Sequence, residues 1–117
     1  MDEAQARRAG QEARRLADDL HAKLHPGDEL RDLSGVVTSA GSGLSPDAVN
    51  EIDRAIQALG EADDALNPGL GRPDVAIGRA KLDEARGLLA PYRSNPPFME
   101  QNLRRAIQDA LGTLERL

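Results

Sequence analysis

Along five stretches of this chain the apolar side chains return every three or four positions, with prolines and glycines standing between the stretches. That rhythm is the period of an α-helix, in which residues three and four apart share one face. The first stretch runs from about Asp2 to Leu24, with Ala6, Ala9, Ala13, Leu16, Leu20 and Leu24 on one stripe. Asp2 and Glu3 stand at its electropositive end, and Glu3 lies one turn ahead of Arg7. Pro26-Gly27 ends it. A weaker stretch from Asp28 to Ala40 keeps the period at Leu30, Leu33, Val37 and Ala40. There Gly35 and the β-branched Val36, Val37 and Thr38 lower the helix propensity, and the glycines of 41–43 read as a flexible link.

Ser45-Pro46 is a helix start, a capping hydroxyl followed by proline in the first turn. Behind it Val49, Ile52, Ile56, Leu59, Ala62 and Leu66 form a stripe that Asn67-Pro68-Gly69 closes. Pro73 opens the next segment, with Val75, Gly78, Leu82, Ala85, Leu89 and Tyr92 inward. Gly78 would let a neighbouring helix come close, and Pro91 disturbs the last turn. After Asn95-Pro96-Pro97 comes a final segment with Met99, Leu103, Ala106, Ile107, Ala110, Leu111, Leu114 and Leu117 inward. The fold class that follows is all-α: one domain over 1–117, an antiparallel bundle of four main helices plus one weaker helix, without strands.

Composition agrees with a helical core and removes several functions. Tyr92 and Phe98 are the only aromatics, so the interior must be built from Leu, Ile, Val and Ala. No apolar run approaches the ~18 residues of a membrane span, and the charged N-terminal stretch is not a secretory signal. Without cysteine there is no disulfide, thiolate metal site or thiol nucleophile, which points to the cytoplasm. Lys23 and Lys81 are the only lysines among many Ala, Arg, Gly and Asp residues, a composition that hints at a GC-rich bacterial or phage genome.

One motif repeats. RAIQALG at 54–60 returns as RAIQDALG at 105–112, with Asp109 as an extra residue. The inserted residue leaves Ile56 and Leu59 three apart but Ile107 and Leu111 four apart. Both spacings keep the pair on one helical face, so a packing stripe tolerates the insertion where a catalytic motif would not. The segments preceding the two copies do not resemble each other, which makes this the same packing solution reached twice.

Signals for chemistry are few. In HAKLH, His21 and His25 are four apart, the spacing of two-histidine metal sites, and Asp18 or Glu29 could supply a third donor. Pro26 directly follows His25, however, and histidines near a helix C-terminus also stabilise its negative end. On sequence alone no metal and no cofactor is expected. GLGRPD at 69–74 lacks the Lys-Ser/Thr of a P-loop and reads as a turn between helices. No serine sits in a G-x-S-x-G elbow. Arg7, Arg8, Arg14 and Arg15 could grip phosphates, but residues 1–25 balance five basic against five acidic side chains. The chain as a whole carries −5, which disfavours nucleic acid.

Charge is concentrated elsewhere. Residues 26–67 carry two arginines against nine carboxylates, a net of −7. Glu61, Asp63 and Asp64 gather near the C-terminal end of their helix, where the dipole disfavours negative charge. On that reasoning, reversing Asp63 and Asp64 to lysine would stabilise slightly, and the carboxylates suggest a basic protein partner. The second feature is PYRSNPPF, which holds both aromatics around a proline-rich turn. Tyr92 and Phe98 either plug the end of the bundle or form an exposed anchor. The expected function is therefore a non-catalytic protein–protein interaction or regulatory module: an adaptor, an inhibitor or an assembly component. Its candidate contact residues are Glu61, Asp63, Asp64, Tyr92 and Phe98. A second copy of the chain is a further partner to consider. The alternatives are a nucleic-acid-associated regulator and a metal-binding helical bundle.

Overall fold

Each α-helix among the described residues begins on a side chain that accepts one of the otherwise unpaired N–H groups of the first turn. The computed structural model describes residues 1–26 and 43–117. In α1, Glu3–Leu24, the carboxylate of Asp2 accepts from the Gln5 amide at 2.7 Å while the Gln5 side chain accepts from the Asp2 amide at 3.0 Å, a reciprocal capping box. Ser45 caps α2, Pro46–Leu66, by accepting from Ala48 at 3.2 Å. Asp74 caps α3, Val75–Leu89, and Glu100 caps α4, Gln101–Arg116. Pro91 carries no amide hydrogen to continue the ladder, and α3 gives way to a single 3-10 turn at Ala90–Tyr92. No strand occurs among the described residues. The expected weaker helix at 28–40 and all but Gly43 of the glycine link lie outside them.

Cross-helix pairs fix the topology. Arg7 meets Asn67, Arg14 meets Asp63 and His25 meets Asp53, so α1 and α2 run antiparallel. Glu61 pairs with Lys81 and Glu51 with Tyr92, which sets α2 antiparallel to α3. The fourth helix lies against α1 and α3, on the side away from α2. Arg15 approaches Asp109 at 3.6 Å while Arg8 and Glu12 share a groove with Arg116, so α4 runs antiparallel to α1. Leu16, Leu20, Ile52, Leu59, Leu103 and Ile107 are among the fully buried side chains of the core cluster.

The buried positions follow the predicted stripes, with corrections where a helix has two neighbours. Since α2 is flanked by α1 and α3, it buries a second row at Ala55 and Ala58. Ile56, expected to face the core squarely, falls at the edge and is half-buried. Ile107, its counterpart in the second RAIQ copy, is fully buried. Leu117 was expected inward, yet it lies beyond the last helical residue and is 39% exposed. Val75 and Tyr92 are half-buried against the core.

Close approach is purchased by two glycines. A Cβ on Gly78 would lie 2.3 Å from Leu66 Cγ, and one on Gly10 would lie 3.1 Å from Leu66 Cβ. The last turn of α2 is thus gripped between α1 and α3, with Leu66 wholly buried.

Candidate functional site

The acidic group does not stand free. Asp63 accepts from Arg14 Nε at 3.0 Å, Asp64 lies 3.4 Å from the same guanidinium, and Glu61 meets Lys81 at 2.7 Å. Arg14 comes from α1 and Lys81 from α3, so the three carboxylates on α2 link it to both neighbours. The hydrogen bond it donates to Asp63 holds Arg14 above its ordinary pKa, and the bond from Lys81 holds Glu61 below the usual carboxylate range. These pairs are partly exposed and individually weak. They nevertheless offset the unfavourable position at the helix end. Arg14 and Lys81 thus account for carboxylates that the helix dipole alone disfavours. One atom stays unsatisfied: Asp63 Oδ1 is buried with no hydrogen-bond partner among the described residues.

The Tyr92–Phe98 turn separates its two aromatics. Tyr92 is half-buried, and its hydroxyl donates to Glu51 on α2. Burial first, and then the Glu51 carboxylate, push the Tyr92 hydroxyl up to about 12. Phe98 points outward and is 85% exposed, while the adjacent Met99 is buried and roots the turn in the core. From α4, Arg104 donates to the carbonyls of Arg93 and Pro96, and Gln108 donates to Arg93 O at 3.0 Å. Gly43 packs against the other side. Its positive φ of 72° suits glycine, and a Cβ there would sit 2.1 Å from the Phe98 carbonyl oxygen. Beside the turn is a groove of about 490 Å³ lined by Asp47, Glu51, Pro91, Tyr92, Asn95 and Pro96, among others.

At the same end of the bundle, His21 and His25 meet Asp53. The amide of His25 still donates to the His21 carbonyl at 2.9 Å, so the final turn of α1 stays closed despite Pro26. The two rings are 5.2 Å apart, and His25 Nε2 lies 2.9 and 3.1 Å from the Asp53 oxygens. The carboxylate that joins the histidines is neither Asp18 nor Glu29, the latter outside the described residues. It is Asp53, remote in sequence and delivered by the antiparallel α1–α2 pairing.

Other sequence candidates take structural places. Arg7 donates to the carbonyls of Pro68 and Gly71 at 3.1 and 3.3 Å, so the GLGRPD loop presents oxygens to an arginine from α1, the reverse of a phosphate cradle. Arg14 and Arg15 are engaged with carboxylates. Arg8 lines a groove of about 480 Å³ with Arg79, Arg116 and Glu12, a local concentration of positive charge. The RAIQ copies also differ in their bonds: Gln57 donates to Glu61 one turn on, whereas Gln108 holds the turn at Arg93. No helix among the described residues is long and apolar enough to cross a membrane. Comparison of the chain with protein-family models, curated proteins and solved structures found no match.

Proposed function

We propose that this chain is a non-catalytic protein–protein interaction module whose contact surface is the end of the bundle bearing Phe98. The observation that carries the reading is Phe98 itself: the only phenylalanine, 85% exposed on a turn held by Arg104, Gln108 and Gly43. Leaving such a side chain in water forgoes roughly 1.5–3 kcal/mol that burial would give. A rigid turn also loses little freedom when a partner closes over it. Asp47 and Glu51 line the adjacent groove, and the chain is at −5, so the complementary partner presents an apolar pocket with a basic rim. With Glu61, Asp63 and Asp64 tied to Arg14 and Lys81, the contact surface centres on Phe98, with Tyr92 lining the groove beside the turn. An adaptor, an inhibitor and an assembly component all fit this description.

The test is parallel affinity capture from the native cell by the wild type and by Phe98→Ala, followed by affinity measurement on whatever the wild type retains. Phe98→Ala should weaken that association at least about tenfold, as central aromatic anchors do, and leave the melting temperature unchanged. Equal affinity of the two chains would remove Phe98 from the interface.

A further inference from the structure

We propose that His21, His25 and Asp53 form a divalent transition-metal site, with zinc as the cation best suited to it. The three side chains each offer one donor atom, and these atoms all lie within 4.8 Å of one another. Tetrahedral zinc with bonds of roughly 2.0–2.2 Å to nitrogen and oxygen sets its donors about 3.3 Å apart. The His25–Asp53 contact at 2.9 Å needs to open by a few tenths of an ångström, and His21 needs to swing inward. Both are side-chain movements. His21 is exposed and Asp53 half-buried. The helix supplies the rest of the preorganisation: residues 21 and 25 share a face, and the intact His25-to-His21 backbone bond keeps that relation through the end of the helix.

The donor set selects the class of metal. Two imidazoles disfavour calcium and magnesium, which take oxygen ligands, and a site without thiolate does not suit copper(I) or an iron–sulfur cluster. Two histidines and a carboxylate suit zinc, with cobalt, nickel and copper(II) as chemical relatives. Three protein donors leave the fourth tetrahedral position for water or an outside ligand. A bound ion would join the last turn of α1 to α2, so metal binding stabilises the fold.

Calorimetric titration with zinc chloride tests the site, using the full chain purified without a histidine tag and stripped with chelator. One zinc per chain should bind, and magnesium should not compete. At zinc a hundredfold above Kd the melting temperature should rise by roughly 10 °C. His21→Gln is the decisive variant, because His21 takes no part in the His25–Asp53 pair and its loss leaves that contact standing. It should weaken zinc at least about tenfold and shrink the zinc-induced rise in melting temperature accordingly. Asp53→Asn should weaken zinc as much, whereas Asp18→Asn, one turn before His21, should not. Absence of saturable zinc binding, or wild-type affinity in His21→Gln or Asp53→Asn, overturns the assignment.

Discussion

Gly78→Ala and Gly87→Ala are the same substitution in the same helix, and the packing predicts opposite signs for them. On α3, Gly87 faces open space, with nothing within 4 Å of where its Cβ would be. Alanine there should stabilise by up to about 1 kcal/mol through helix propensity alone. At Gly78 the added methyl would meet Leu66 Cγ and Cδ2 at 2.3 Å, against a carbon–carbon optimum of about 3.5–4.0 Å. Something must move by more than about 1 Å. Leu66 has little room to do so, being wholly buried and closely backed by Gly10 on α1. Overpacking of this kind costs about 1–3 kcal/mol, and the propensity gain of about 1 kcal/mol offsets only part of it. Gly78→Ala should therefore destabilise by up to about 2 kcal/mol, lowering the melting temperature by up to about 8 °C for a chain of this length. Urea titrations followed by far-ultraviolet circular dichroism read both variants. Leu66→Ala should also cost less in the Gly78→Ala background than in wild type, since it removes the colliding atoms. A Gly78→Ala protein as stable as wild type, with no coupling to Leu66, would refute the claim that this contact sets the spacing of α2 and α3.

The two copies of RAIQ should part company. Ile107→Ala, at a fully buried site, should cost about 2–5 kcal/mol in urea titrations, and Ile56→Ala, at the edge, clearly less. Because Tyr92 is the only tyrosine, absorbance of the tyrosinate reports it alone; the midpoint should lie near 12 and fall in Glu51→Gln, without reaching about 10 because burial remains. The sign for stability follows from a folded pKa above the unfolded one: the Tyr92 contribution is intact below about pH 10 and is lost as pH rises toward 12. Asp63→Lys combined with Asp64→Lys should destabilise by about 1 kcal/mol, against the slight gain that the helix dipole alone predicts, because the new cations face Arg14. Thermal melts at low and high salt check both the sign and its electrostatic origin.

Much of the architecture is written in the period of the apolar residues. The stripe from Ala6 to Leu24 is buried residue for residue, and Ser45-Pro46 starts α2 where the capping rule places it. Periodicity marks a face but not how many neighbours that face has. Ala55 and Ala58 were therefore missed, and Ile56 was placed too deep. Charge patterns share this limit. The carboxylates at 61, 63 and 64 look unexplained along one helix because Arg14 and Lys81 reach them from two others. Asp53 belongs with His21 and His25 only after α1 and α2 have folded against each other. A short signal existed in the two histidines four apart, but the missing donor is a tertiary fact. Phe98 was legible as an oddity, and its exposure was one of two alternatives that local sequence left open.

Backbone hydrogen exchange of the chain, alone and saturated with its captured partner, tests the location of the contact surface most directly. Slowed exchange should concentrate in residues 91–99 and in the first turns of α2 around Asp47–Glu51, with residues 57–64 unchanged. Protection centred on 57–64, with 91–99 exchanging as in the free chain, would contradict the account and return the contact surface to the carboxylates of α2.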